Sequence, residues 1–214
     1  ALFRAALHDA AWGSGKQTAG HQSARIKDNA QLSEDDATAR ALSARVIQAL
    51  ARSNAFFAAV LPRRIFPPLF NRYAGGQSFG FHVDNAVRYD RSTDIVQPVR
   101  TDVSCTLFLN EPDEYDGGEL IIEDTFGTQS IKLAAGHLVV YPSSSLHRVA
   151  SVTRGARVAS FFWVQSLIRD DARRRILVEL DVSIQNLSAA LPDHPSLVQL
   201  TGVYHNLLRQ WSEI

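Results

Sequence analysis

His82 and Asp84 stand two residues apart in Phe79-Gly80-Phe81-His82-Val83-Asp84-Asn85, so on a strand both side chains leave the same face. An imidazole and a carboxylate aimed into one space are two of the three ligands of a facial metal site. Alone, such a pair is more often surface decoration, so the third ligand must be sought far along the chain. Of the seven histidines, His8, His21, His194 and His205 fall in helices or loops with no second candidate ligand at metal spacing. His137 follows Ala135-Gly136 at a strand start and reads as a turn residue. His147 opens a strand after Pro142-Ser143-Ser144-Ser145, far enough from His82 for the chain to run around a barrel and return. If it closes the site, His82, Asp84 and His147 occupy one face of an octahedron. Three adjacent positions stay open, the arrangement of non-heme Fe(II) oxygenases.

Such a centre needs an electron-donating co-substrate, and a dicarboxylate would chelate through two open positions. Its distant carboxylate then needs a fixed cation. Arg157, ten residues after His147 and flanked by small Ala156 and Ala159, suits this, because a guanidinium fork binds both carboxylate oxygens. Arg154 competes, but it falls in the turn Thr153-Arg154-Gly155 and is expected to be solvated. Tyr73, nine residues before His82, can bring a hydroxyl to the same carboxylate. Phe79, Phe81 and Phe161 are candidates to keep water off the site, against an ordinary core role. Asn85 and Arg88 are the candidates for substrate contact, with residues 18–23 and 87–100 as the rim.

These side chains need a rigid scaffold. Short β-rich runs begin near Leu61, at about residues 65–73, 78–84, 102–110, 119–123, 128–133, 137–141, 147–152 and 157–166. Glycine- and proline-bearing turns separate them. Many short strands without intervening helices indicate a sandwich or barrel. Residues 87–100 read as a long polar loop following the His-x-Asp strand. Ahead of the strands, helical spacing marks residues 2–12 and a helix from a Ser33 N-cap to about Arg52. Residues 13–32 read as loop with a short strand around 23–26. After Ile168, helical periods over 170–191 and 198–211, broken at Pro192-Asp193-His194-Pro195, predict an αα-hairpin. The expected organisation is a helical buttress over 1–60, a β core over 61–168 and a helical extension over 169–214. The apolar stripes of that extension await cover from the barrel or from a twin subunit in a homo-oligomer.

The 214-residue chain balances 22 basic against 22 acidic residues, so no global charge argues for nucleic acid or an anionic membrane. No apolar run approaches the ~20 residues of a membrane span. One cysteine, Cys105, excludes a disulfide framework and makes a reducing, cytoplasmic setting the default. The opening Ala1-Leu2-Phe3-Arg4 reads as the middle of a helix, so the true N-terminus is expected to lie upstream.

The ordered set His82-Val83-Asp84-Asn85, Thr106 to Asn110, Gly117-Gly118-Glu119-Leu120, Pro142 to His147 and Arg157 resembles the Fe(II)- and 2-oxoglutarate-dependent dioxygenases of the prolyl 4-hydroxylase type. Leu69 to Tyr73, Phe161 to Ser166 and the helical tail resemble, more narrowly, the bacterial PKHD-type hydroxylases. The resemblance spans essentially the whole chain. It implies a double-stranded β-helix (jelly-roll, cupin-like) core, mainly β with flanking helices. It also implies one iron on His82, Asp84 and His147, and Arg157 holding 2-oxoglutarate. The implied activity is hydroxylation of a substrate by O2, with release of succinate and CO2. An L-ascorbate (vitamin C) requirement and a link to iron uptake come with the resemblance. The substrate stays open between peptidyl proline or lysine and a small molecule. Two other classes compete: a zinc- or manganese-dependent cupin-like isomerase or hydrolase, which leaves Arg157 without a task, and a non-catalytic metal-sensing module, which releases no succinate.

Overall fold

The computed structural model describes residues 2–18, 20, 22–125 and 127–214. Helix α1 (Leu2–His8) is followed by the short strands β1 (Gly13–Ser14), β2 (Lys27–Asp28) and β3 (Ala30–Gln31), then by helices α2 (Ala37–Leu50) and α3 (Asn54–Val60). Strands β4 (Pro62–Ile65), β5 (Leu69–Ala74), β6 (Ser78–His82), β7 (Val87–Asp90), β8 (Gln97–Arg100) and β9 (Val103–Phe108) come next. After them come β10 (Asp116–Gly117), β11 (Leu120–Asp124), β12 (Gly127–Ile131), β13 (Leu138–Pro142), β14 (Leu146–Val149), β15 (Val152–Arg154) and β16 (Ala156–Ser166). Helices α4 (Asp171–Ala190) and α5 (Ser196–Trp211) follow.

Among the described residues the larger sheet runs β1-β3-β5-β16-β9-β13, with β4 also on β16. The smaller sheet runs β12-β11-β14-β6-β2, and every pairing is antiparallel. Period-two alternation sorts the larger sheet into two faces. Phe70, Val103, Cys105, Phe162 and Val164 pack against Leu42, Val46, Leu50, Phe56 and Val60 of the helices. The intervening positions, Tyr73, Ser104, Thr106, Arg157, Phe161 and Trp163, line an interior pocket. Because β16 is covered on both faces, its Phe161 to Val164 stretch is apolar at successive positions rather than alternating, while Arg157 and Ser160 interrupt the run before it. Tyr73 of the larger sheet meets Phe79 and Val149 of the smaller one, so the two sheets close on each other as a jelly roll flanked by helices.

Several local expectations shift. The run expected at 65–73 is split, because Pro67-Pro68 cannot donate to a ladder; β4 ends before the pair and β5 starts after it. Residues 87–100 form the hairpin β7–β8, in register from Val87↔Arg100 to Asp90↔Gln97, rather than a loop. The α2 N-cap is Asp36, whose Oδ1 accepts from the Ala39 N–H at 2.8 Å. Ser33 instead closes the turn before it, with the Asp36 N–H donating to Ser33 O. Helix α3 was not foreseen: its Ala-Phe-Phe-Ala-Ala-Val run carries no period, and the Ser53 hydroxyl caps it. The strand around 23–26 falls at β2 instead, and with β1 and β3 it ties the N-terminal segment into both sheets.

The C-terminal hairpin is anchored where β16 ends. Leu177 is fully buried with Leu61 and Ile168, and Tyr204, Leu207 and Trp211 close around them. The Glu213 N–H donates to Leu167 O at 2.8 Å, and the Glu213 carboxylate meets Arg100 at 2.8 Å. The barrel therefore covers part of the hairpin's apolar surface. Among the described residues no helix is long and apolar enough to cross a membrane.

Leu177→Ala should cost about 2–5 kcal/mol, the usual range for emptying a filled core site. Ile176→Ala, next to it on α4 but 47% exposed, should change stability by less than about 0.5 kcal/mol. Urea midpoints of the two variants check this, and equal losses would contradict the packing described.

Candidate functional site

Strand β6 carries an irregularity that matters. His82 pairs with His147 and Phe79 with Val149, so three steps on β6 oppose two on β14. The extra residue makes a bulge at Gly80-Phe81, which breaks the alternation and turns Phe79 and His82 to the same side. Phe79 then stacks on the His82 ring, centroids 3.6 Å apart and 17° from parallel. Phe81 is thrown outward, 42% exposed beneath the Arg148 guanidinium, so the expectation that it guards the site is not met. A side chain at Gly80 would stand 3.0 Å from Ile26 Cβ.

Strand β6 stops at His82, two residues short of the expected end, and Asp84 follows in the irregular turn. The convergence holds nonetheless. His82, Asp84 and His147 each offer a ligand atom, all within 4.8 Å of one another, the group of this kind found among the described residues. The imidazole tautomers are set by their partners. His82 Nδ1–H donates to Gly80 O at 2.8 Å and His147 Nδ1–H to Ser145 O at 3.0 Å. Carbonyls only accept, so both Nε2 atoms keep free lone pairs, as metal ligation requires. Burial, and next the facing His147, push the His82 pKa down to about 4, holding the ring neutral. Ser104 Oγ donates to Asp84 Oδ2 at 2.5 Å and is itself 2.7 Å from Ser143 Oγ, which fixes the carboxylate's rotation. His137, by contrast, is exposed. His21 lies outside the described residues, as does part of the expected 18–23 rim.

Across the pocket Arg157 sits opposite Tyr73 in the β16–β5 register. It is 1% exposed, its guanidinium carbon 5.6 Å from the Tyr73 ring and 5.3 Å from that of Phe108. Among the described residues no carboxylate pairs with it, and its buried Nε has no hydrogen-bond partner. A buried cation left so is costly unless an anion arrives. The Gly117-Gly118 pair explains the room it has: at Gly118, φ +70°, a Cβ would stand 3.1 Å from Arg157 Cδ and 2.9 Å from Val152 Cγ2. Arg154 is spent on the surface, in a two-pronged contact with Asp116 at 2.7 and 2.9 Å. Burial raises the Tyr73 hydroxyl to about 12 although Arg157 opposes it, so the phenol stays protonated. The residues present thus fit one divalent ion and one dicarboxylate.

Asn85 and Arg88 line the same pocket, Asn85 at its exposed edge. Of the β7–β8 hairpin it is Arg88 that reaches the pocket lining; Tyr89, Ile95 and Val96 project to solvent. Several lining residues escaped the sequence reading, Ser104 beside Asp84 among them. Tyr141, whose hydroxyl burial holds well above its usual pKa, packs edge-on against His147 at 5.1 Å. Lys27 is 4% exposed and donates through Nζ to Thr18 Oγ1 at 3.0 Å and Gln31 Oε1 at 3.1 Å. Burial, then Arg88, bring its pKa to about 8. A signal existed: Lys27, Asn29 and Gln31 stand at period-two spacing, and each is 4% exposed.

Residues 68–165 match the 2OG-Fe(II) oxygenase superfamily, and residues 171–213 match the PKHD-type hydroxylase C-terminal domain. A PKHD-type hydroxylase of Xanthomonas euvesicatoria pv. vesicatoria is 70% identical over 212 residues, 99% of this chain and 93% of that protein. One from Stutzerimonas stutzeri is 58% identical over 214 residues, 100% of this chain and 94% of that protein. In fold, the chain is similar to a Trichoplax adhaerens prolyl hydroxylase in complex with a hypoxia inducible factor oxygen degradation domain peptide fragment. The TM-score is 0.52 at 16% identity, covering 82% of this chain and 77% of that one.

Gly118→Ala should destabilise the protein more than Gly76→Ala, by about 1–3 kcal/mol, the cost of overpacking. Both glycines have positive φ, but a Cβ at Gly76 meets open space. Denaturant unfolding of the two variants reads the difference, and equal losses would mean that Arg157 is not crowded there.

Proposed function

The chain belongs to the PKHD-type hydroxylase family of Fe(II)- and 2-oxoglutarate-dependent oxygenases, and from that premise we propose that His82, Asp84 and His147 hold its iron while Arg157 and Tyr73 hold 2-oxoglutarate. When bound, iron and 2-oxoglutarate supply the oxidising chemistry, by which one atom of O2 ends in succinate, alongside CO2, and the other as a hydroxyl on the substrate. The single observation that carries the residue assignment is the convergence of the three ligand atoms within 4.8 Å, in one pocket with a buried guanidinium that no carboxylate pairs among the described residues.

Each side chain has a definable part. His82 and His147 present Nε2 because their Nδ1–H groups are committed to Gly80 and Ser145. Asp84 supplies the anionic ligand, held by Ser104. Arg157 orients the co-substrate through its distal carboxylate, with the protonated Tyr73 hydroxyl as a second donor. Phe79, flat against His82, and Phe161 shield the reacting face from water. Asn85 and Arg88 contact the substrate. In this reading the body over 61–168 carries the iron and 2-oxoglutarate ligands, 169–214 buttresses it, and 1–60 buttresses it while also lending Thr18 and Lys27 to the pocket lining. L-ascorbate as reductant, a cytoplasmic setting and a role in iron uptake belong to the proposal through the family resemblance.

Anaerobic addition of Fe(II) and 2-oxoglutarate should give a weak visible charge-transfer band, near roughly 500 nm for bidentate chelation. The band should be lost in His82→Ala, Asp84→Ala and His147→Ala and kept in His137→Ala; the reverse pattern for His137 and His147 would refute the ligand set. Arg157→Ala should raise the KM for 2-oxoglutarate at least about tenfold, the scale of one lost charge-assisted contact. Arg154→Ala should leave that KM within about twofold, its guanidinium being spent on Asp116.

A further inference from the structure

The pocket holds more positive charge than iron and 2-oxoglutarate consume. The two charges of Fe(II) are balanced by those of the dicarboxylate, and Asp84 offsets Arg157. Lys27 and Arg88 are left over, both lining the same pocket. Among the described residues Lys27 has no ion-pair partner, and Arg88 has one long ion pair. Lys27 Nζ is held by the uncharged Thr18 and Gln31. Arg88 donates to the Thr18 carbonyl at 3.3 Å and forms a long ion pair at 3.8 Å with Glu34, whose side chain is 37% exposed, so solvent weakens the pair and it is too long for a hydrogen bond.

Both cations are fixed rather than trailing in solvent. Lys27 lies 5.5 Å from the Phe79 ring centre and 5.7 Å from that of Phe161. The Arg88 guanidinium is 4.3 Å from Trp163 and 5.0 Å from Phe66, with its side chain 13% exposed. Its Nε is buried without a partner, so part of the donor fork is unspent. Phe79 stacks on His82, which puts the Lys27 ammonium one ring away from the ligand set. Two buried cations sharing the Thr18 anchor, one with an unspent donor, are costly in the empty protein and complementary to an incoming anion.

We propose that Lys27 and Arg88 form an oxyanion subsite beside the iron centre, and that the substrate is a small molecule whose carboxylate, or like oxyanion, docks there. This rests on the reading of His82, Asp84 and His147 as iron ligands. Phe161 and Trp163 wall the same space, so the part of the substrate nearest the anion is apolar or planar. The bound anion would hold the substrate's C–H bond over the iron face, making Lys27 and Arg88 determinants of specificity.

The test uses the anaerobic Fe(II)- and 2-oxoglutarate-loaded protein with the co-substrate saturating, and reads shifts, not loss, of the visible band. The probes are benzoate against its uncharged isostere benzamide, acetate against acetamide, and inorganic phosphate. Benzoate should shift the band at a concentration at least about tenfold lower than benzamide, one charge-assisted interaction's worth. That preference should vanish in Lys27→Met and in Arg88→Met and survive in Lys27→Arg. Inorganic phosphate acting at lower concentration than the carboxylates would support the subsite and assign a phosphorylated substrate. A band that forms normally but responds alike to each acid and its amide would overturn the subsite and leave the iron site standing. So would preference surviving in both Met variants. A band that never forms overturns the iron reading and the subsite with it.

Discussion

The pairing of β14 with β6, in a register that sets His147 opposite His82, is the constraint on which the rest depends. Two residues far apart in the chain become neighbours because antiparallel strands fix cross-strand distances to within a rotamer. The bulge at Gly80-Phe81 then decides which side chains share the interior face. Without the extra residue, Phe79 and His82 would point to opposite sides, and the ring that shields the imidazole would be lost. The sheet edge is finished by β2, whose Lys27 pairs with Phe79, so the strand that carries the first imidazole also places the nearest lysine.

Electrostatics organises what faces that pair. Among the described residues the pocket lining holds Arg157, Lys27 and Arg88 against one carboxylate, Asp84, with Glu34 in a long ion pair to Arg88 from outside it and uncharged groups accepting the hydrogen bonds of Lys27 and Arg88. Such an arrangement is unfavourable in an empty pocket and favourable once anions enter, so stability is exchanged for affinity. The same logic explains the small residues around Arg157. Gly118 leaves room for the stem of Arg157, whose Cδ a Cβ there would approach to 3.1 Å. The flanking helices contribute from outside, by covering the opposite face of β5, β9 and β16 so that the inner face need not be apolar.

Much of this was legible in the chain because the informative residues sit at strand periods. The distant His147 and Arg157 needed only alternation and a closed sheet to converge, whereas Asp84 reaches the site from the turn after β6 and not by the strand alternation expected of the His-x-Asp spacing. What escaped was set by tertiary context. The bulge that turns Phe81 outward leaves no mark in local hydropathy, since phenylalanine suits either face. The hairpin at 87–100 was hidden by its charged residues, which β7 and β8 carry because they lie largely outside the main sheets. Lys27 went unseen because β2 is two residues long, too short to show a period, although the buried polar set of Lys27, Asn29 and Gln31 does alternate. The N-cap moved from Ser33 to Asp36 because a turn and a cap compete for the same donors.

The central claim is that one iron and one 2-oxoglutarate share a single site, each completing the other's binding. Thermodynamic linkage makes that measurable, since a ligand bound to both metal and protein must tighten the metal. Anaerobic equilibrium dialysis of iron, with and without 2-oxoglutarate, tests it most directly in the intact chain and in Arg157→Ala. The account predicts one iron per chain, held at least about tenfold more tightly when 2-oxoglutarate is present, with that enhancement much reduced in the variant. Iron bound with the same affinity whether or not 2-oxoglutarate is present would contradict it.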